Sequence, residues 1–309
     1  MEGKGASTLT EPSRAGVHRW WPFALLLVAG ASRWVVAAAH PEADSTIASE
    51  AMGCGWAALL SYLFLVRKSA AISSPMASSD TGRVRSFLAG AMLFGGPAIA
   101  LLIRGRQIDA GSLTVALALT PIILAIAVSA LGSERTDDLA GRIWPGLAAV
   151  TGLLLVLAQP ALGDARSDLA LVLAPALTGI GAALFCADTN LSATRVSLAL
   201  VGSTALFTLA LAGTYILAGS LPSVSLLAVA CDGVLALLSV VTLYQLGATR
   251  WSSQFTWIPL LIVVESLVLV RPQLSAHWVI GLGLLALASI YLLLPQSEEP
   301  KSGVSAVPS

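Results

Sequence analysis

Long runs without a charged residue are the feature that most constrains how this chain folds. Gly111–Ser133 has no charge over 23 residues, and Ile143–Gly163 has none over 21. A bilayer core about 30 Å thick is crossed by a helix of roughly 20 such residues. Backbone polar groups in lipid must pair internally, which favours helices, and the runs lack the period-two alternation of a β-barrel. The sequence therefore predicts an all-α integral membrane protein.

The composition supports this class, because 56% of the residues are hydrophobic and only 11% are charged. The 36-residue run Val196–Cys231 is too long for one span, and Gly219–Ser223 predicts a tight hairpin within it. Ten transmembrane helices are predicted, at about 20–39, 47–66, 86–103, 111–131, 141–160, 168–187, 196–218, 224–246, 251–270 and 275–294. The polar ends, 1–19 and 295–309, are predicted to be cytoplasmic tails.

Basic residues indicate the orientation of these helices. With the N-terminus in the cytoplasm, 12 Lys and Arg residues fall on the inner side and four on the outer side, with Arg33 inside a span. This bias matches the positive-inside rule, and an even number of helices returns the C-terminus to the cytoplasm. The sequence thus predicts a multi-pass protein of the cell inner membrane with both ends cytoplasmic.

The first helix has an alternative interpretation. Basic residues, an apolar stretch and Ala37-Ala38-Ala39 together are also typical of a cleaved signal peptide. The stretch is long for a signal peptide and contains Arg33, so we expect the helix to be retained.

Two parts of the sequence share an outline. Pro121 begins an apolar stretch that ends at Glu134-Arg135 and is followed by the glycine-spaced segment Gly146–Gly152. Pro259 begins a similar stretch that ends at Arg271 and is followed by Trp278–Gly283. This outline resembles the EamA-type repeat of the drug/metabolite transporter superfamily. The resemblance implies two five-helix repeats, 20–163 and 164–294.

One position departs from the family's outline. Thirteen residues after Pro121 stands Glu134, whereas thirteen residues after Pro259 stands Pro272. The second copy therefore lacks the glutamate that the resemblance leads us to expect, which argues against a functional role for Glu134. Because five is an odd number, the two repeats would enter the membrane in opposite directions, and inverted repeats place a solute path between the halves near mid-membrane.

Ionisable residues inside the spans are the candidate solute-binding or coupling groups, because a charge in lipid is costly. Arg33, Asp232 and Glu265 lie on three helices at similar estimated heights, about 20, 18 and 21 Å from the inner face. Arg33 could pair with one acid and leave the other to titrate or meet a cationic group. Two alternatives remain open: a purely structural pair, or an Arg33 side chain that reaches the outer interface.

Helix-breaking and aromatic residues supply weaker candidates. Gly95-Gly96-Pro97 and Asp232-Gly233 are predicted to interrupt the third and eighth helices at matching places, as in transporters built from broken helices. This makes Gly96 and Pro97 candidate substrate-binding residues, with Trp257 as an aromatic wall. Pro121 and Pro259 are predicted to kink the fourth and ninth helices. The alternative is that these small residues and prolines serve only close packing.

Other chemistry is not indicated by the sequence. Three scattered cysteines and three scattered histidines give no metal site, and no phosphate-binding loop or catalytic motif is present, so we expect no enzyme, cofactor or nucleic-acid partner. A paired-carboxylate intramembrane enzyme using Asp188 and Asp232 is disfavoured, since the two differ in height by about 15 Å.

Two functions remain after these exclusions. The first is a secondary transporter that exports a small metabolite or drug-like solute, with protons as a candidate coupling ion. The second is a non-transporting membrane subunit or scaffold whose buried charges are structural. Small residues on the helices also permit a homodimer.

Overall fold

The computed structural model describes residues 20–39, 46–63, 80–104, 110–131, 137–157, 165–187, 193–219, 224–270 and 275–294. Every regular element within these ranges is helical. In chain order the helices are α1 (Trp21–Ala39), α2 (Thr46–Ser61), α3 (Asp80–Arg104), α4 (Ala110–Leu117), α5 (Thr120–Ala130), α6 (Asp137–Leu157), α7 (Ala165–Cys186), α8 (Ala193–Ala218), α9 (Leu226–Ser252), α10 (Gln254–Val270) and α11 (Ala276–Leu293).

Each predicted span overlaps a helix, so the all-α prediction is confirmed for the described residues. The predicted fourth span consists of two helices, α4 and α5. Among the described residues, three stretches are long and apolar enough to cross a membrane, namely Thr194–Gly213, Leu226–Ala248 and Ala276–Leu293. The two predicted tails lie outside the described residues.

Large apolar side chains cover much of the exterior. On α8, Leu209 is 70% exposed and Ile216 is 79% exposed, and at the start of α9 Leu226 is 88% exposed. In water such a surface would drive association, whereas in a bilayer it faces hydrocarbon chains of the same polarity. The exterior is therefore compatible with a membrane protein.

Helix breaks fall partly where the sequence predicted them. α8 ends at Ala218 and is followed by Gly219, with φ 70°, and α9 has one non-helical residue, Gly247, with φ 78° and ψ 172°. Both backbones lie in the region that glycine tolerates and that other residues rarely adopt. Gly247 follows the predicted end of the eighth span at residue 246, but α9 continues beyond this kink to Ser252.

The predicted interruptions at Gly95-Gly96-Pro97 and Asp232-Gly233 are wrong. α3 runs through the first and α9 through the second as continuous helix. Gly96 instead allows a close approach to α7: a Cβ added there would lie 2.7 Å from the Ala174 carbonyl oxygen and 3.2 Å from Thr178 Oγ1. A glycine that allows close packing need not break its own helix, because contacts with the neighbouring helix offset the low helix propensity of glycine.

The two prolines predicted to kink helices occupy different positions. Pro121 is buried in the first turn of α5, just after the break at Ala118-Leu119. Proline is well tolerated there, because the first turn has no internal acceptor for its missing N–H. Pro259 lies inside α10, which continues through it.

The helices pack in a limited set of pairs that positions the candidate site. α3 lies against both α7 and α8, and α9 lies against both α1 and α2. α2 also contacts α8, and α6 contacts α11. The remaining close pairs include α5 with α6 and α7, and α10 with α1 and α11.

Candidate functional site

Asp232 is buried near the start of α9, with 7% of its surface exposed. Its Oδ2 accepts a hydrogen bond of 2.5 Å from the Ser49 hydroxyl of α2. A hydrogen bond that a hydroxyl donates to a carboxylate is short and strong, and it offsets part of the cost of removing the carboxylate from water. The contact joins the two predicted halves of the chain, since the residues are 183 positions apart.

Close backbone contact between α2 and α9 places Ser49 within reach of Asp232. A Cβ added at Gly53 would lie 2.6 Å from the Gly233 nitrogen and 2.9 Å from Asp232 Cβ. One turn further along α2, the Trp56 indole N–H donates to the Val229 carbonyl oxygen at 3.2 Å. Hydrogen bonds thus flank the glycine contact on both sides, and they fix the register of the two helices.

A second acid and a thiol lie beside this contact. Glu50 is half-buried one residue after Ser49, and Cys54 is buried on the next turn of α2. Both Glu50 and Asp232 are close enough to act electrostatically on the Cys54 thiol. Two acidic residues, Glu50 and Asp232, therefore lie near the helix crossing.

The α2 side of this site was not predicted from the sequence. The predicted span 47–66 includes Ser49 and Glu50, as does α2, but neither residue was assigned a role. A usable signal was present: Ser49, Gly53 and Ala57 are small residues at four-residue spacing, which is typical of a close helix interface. That spacing indicates a contact without identifying the partner helix.

The other two charged candidates lie on helices that neighbour α9. Arg33 belongs to α1 and Glu265 to α10, and α1, α9 and α10 are in contact with one another. Both side chains lie outside the described residues. Arg33 stands six residues before the end of α1 (39 − 33), Asp232 six after the start of α9 (232 − 226), and Glu265 five before the end of α10 (270 − 265).

The weaker candidates lie in different surroundings. Gly96 packs against α7, away from the contacts that Asp232 makes on α2, and the Pro97 side chain is outside the described residues. Trp257 is half-buried near the start of α10, and its indole nitrogen is buried with no hydrogen-bond partner within the described part of the chain. Asp188 lies outside the described residues.

Metal-binding chemistry has no support in the described ranges. There, no group of three His, Cys, Asp or Glu side chains is arranged to hold a metal ion. None of Cys54, Cys186 and Cys231 forms a disulfide.

Comparison with known proteins bears on the fold alone. No family model matches the chain, and no curated protein matches it. A solved chain, described only as "Crystal structure of protein", superimposes with a TM-score of 0.57 at 17% sequence identity. The match covers 86% of this chain and 94% of the other. At this identity the likeness extends to the fold alone.

Proposed function

We propose that this protein is a secondary transporter of a small solute in the cell inner membrane. Its two five-helix repeats, 20–163 and 164–294, would be inverted and of the EamA type, and would alternate access to a site between them. The observation that carries the proposal is Asp232, an acid buried in an apolar helix and bonded across the boundary between the halves. Acids retained in membrane helices are costly, and they mark solute and proton pathways.

The packing of the helices supports the inverted-repeat part of the proposal. If each helix of the first half is exchanged with its counterpart in the second half, the contacting pair α3·α7 becomes α9·α1, and the pair α3·α8 becomes α9·α2. The exchange likewise turns α5·α7 into α10·α1 and α5·α6 into α10·α11, while α2·α8 and α6·α11 map onto themselves. Every one of these pairs is in contact, as expected for two halves related by a pseudo-two-fold axis.

The positions of the charged residues support a shared site. Arg33, Asp232 and Glu265 stand about 9, 9 and 7.5 Å from the ends of their helices at 1.5 Å per residue. In the proposed topology all three ends face outward, and the helices are neighbours. With one cation and two acids at one depth, Arg33 would pair with one of the acids. The second acid would then be available to carry a proton or to bind a cationic group of the solute.

The test begins with a solute screen. Cells producing the wild-type chain are compared with cells producing Asp232→Asn, against growth-inhibiting amino-acid analogues and lipophilic cations. We expect the wild type to lower sensitivity to at least one compound and the variant to lose most of that effect. Purified protein in liposomes then measures flux of that compound, which should fall at least tenfold in the variant and collapse when the pH gradient is dissipated. Asp137→Asn, at the first residue of α6, is the matched control.

A second readout does not depend on knowing the solute. In a protein whose native cysteines are replaced by alanine, Val229→Cys places a thiol one turn from Asp232. Alternating access predicts that a membrane-impermeant thiol reagent reaches this cysteine from either side of the liposome. A scaffold predicts no reaction from one or both sides. Absence of flux for every compound together with one-sided labelling would therefore contradict the transporter and favour the scaffold.

The topology has its own test. Reporter tags at the two ends of the chain should both lie on the cytoplasmic side, because ten crossings return the chain to its starting side. Tags on opposite sides would exclude the even number of spans, and the inverted repeats with it.

A further inference from the structure

The turn that joins α9 to α10 carries several buried polar side chains, and most of them are paired. The Trp251 indole N–H donates to Ser239 Oγ at 3.0 Å. The Ser253 hydroxyl donates to the Arg250 carbonyl oxygen at 2.7 Å, and the Thr256 hydroxyl donates to the Ser253 carbonyl oxygen at 2.8 Å. These three donors are therefore satisfied within the local fold.

Two donors in the same segment are exceptions. Gln254 is 95% buried, being 5% exposed, and its Nε2 has no hydrogen-bond partner in the described part of the chain. The Trp257 indole nitrogen is likewise buried and without a partner there. An unpaired buried donor costs about 1–3 kcal/mol, and native structures keep few of them. Two such donors within four residues call for an acceptor that the described part of the chain does not supply.

The position of these donors indicates the charge of that acceptor. Gln254 is the first residue of α10, and Trp257 lies three residues later, so both are on one side of the first turn of a 17-residue helix. The N-terminus of a helix carries a partial positive charge and favours anions. Ser253, the one residue between α9 and α10, has helical backbone angles, so the end of α9 offsets part of that charge. Arg250 adds a full positive charge four residues before Gln254, where its guanidinium lies 5.6 Å from the Trp20 ring centre.

We propose that the N-terminus of α10 binds the carboxylate of a small monocarboxylic solute, whose oxygens accept hydrogen bonds from Gln254 and Trp257. A carboxylate offers two acceptor oxygens to two neighbouring donors, and its charge matches the helix end. This site goes beyond the proposed function, because it is separate from the Asp232 site. From Asp232 to Ser252 is 20 residues (252 − 232), or about 30 Å of helix. One small molecule cannot contact both sites.

The indole N–H signal of Trp257 provides a direct test. Protein labelled with ¹⁵N at its eight tryptophans is reconstituted in phosphatidylcholine nanodiscs, and the Trp257 resonance is identified by its loss in Trp257→Phe. Sodium benzoate is titrated against sodium chloride at equal ionic strength. We expect a saturable downfield shift of this proton with benzoate and none with chloride. In Gln254→Met the shift should require at least tenfold more benzoate, whereas Gln245→Met, at an exposed glutamine of α9, should leave it unchanged.

The remaining outcomes separate this proposal from its rivals. A resonance that does not move with benzoate, or moves equally with chloride, would overturn the carboxylate site and leave a buried water as the partner of these donors. A shift produced by phosphatidylglycerol in the nanodisc and not by benzoate would also overturn it, in favour of a lipid headgroup. Asp232→Asn should keep the benzoate response, so this site and the proposed transport path can fail independently.

Discussion

The close contact between α2 and α9 predicts that Gly53 cannot be enlarged. A methyl group at this position would lie 2.6 Å from the Gly233 nitrogen, against an ordinary contact distance of at least 3.4 Å. The obstacle is backbone, which cannot rotate away as a side chain does. Gly53→Ala must therefore separate the two helices by about 0.8 Å (3.4 − 2.6) at this level.

The cost of that separation can be estimated from two opposing effects. Overpacking a tight interface costs about 1–3 kcal/mol. Alanine recovers up to about 1 kcal/mol, since it is the better helix former. We therefore expect Gly53→Ala to lower the free energy of unfolding by about 1–2 kcal/mol. The same movement would lengthen the Ser49–Asp232 hydrogen bond from 2.5 Å to about 3.3 Å, beyond the usual range for two oxygens.

Unfolding in mixed micelles of mild detergent and dodecyl sulfate, followed by tryptophan fluorescence, measures this loss. The matched control is Gly283→Ala on α11, where an added Cβ meets nothing within 4 Å. That substitution should be neutral or stabilising by up to about 1 kcal/mol. If Gly53→Ala were as stable as the wild type, or both variants lost stability equally, the argument from backbone contact would be refuted.

Two further stability predictions test single features of the same part of the molecule. Gly247→Ala should lower the free energy of unfolding by about 1–2 kcal/mol through backbone strain alone, since the φ of Gly247 is 78° and nothing lies within 4 Å of the new methyl. Gly213→Ala, equally uncrowded but in regular helix, should not lower it. Equal effects of the two substitutions would contradict the left-handed backbone at Gly247. Ser239→Ala should lower the free energy of unfolding by about 1–3 kcal/mol, because the Trp251 indole N–H loses its acceptor. An unchanged unfolding midpoint in the same micelle assay would mean that this hydrogen bond does not stabilise the protein.

The helical segments could be predicted almost completely. Hydropathy is a local property, so the run from Val196 to Cys231 and its break at Gly219 predicted two helices that the structure contains. The expected interruption at Gly95-Gly96-Pro97 was wrong, because a glycine breaks a helix only when no neighbour compensates. Here Gly96 packs against α7, and this could not be deduced from α3 alone.

The candidate site could be predicted only in part. Asp232 stood out as an acid in an apolar run, and the cost of burying it required a partner. Arg33 was expected to pair with either Asp232 or Glu265, and its side chain lies outside the described residues, so that pairing stays a prediction. The structure adds a partner that was not expected, the Ser49 hydroxyl. Serine is common at helix ends and in loops, so its identity carries no information about a partner 183 residues away.

The sequence by itself determined which segments are helical, and the few charges among them that need an explanation. Both follow from the free energy of transferring each residue from water to the bilayer core, which depends on the residue type and on its close neighbours along the chain. Only the tertiary structure decided that α2 crosses α9 at Gly53 and Gly233, and that Gln254 and Trp257 are left without acceptors. Those outcomes depend on how the surfaces of different helices fit together. The van der Waals contacts and hydrogen bonds involved join atoms that are far apart in the sequence.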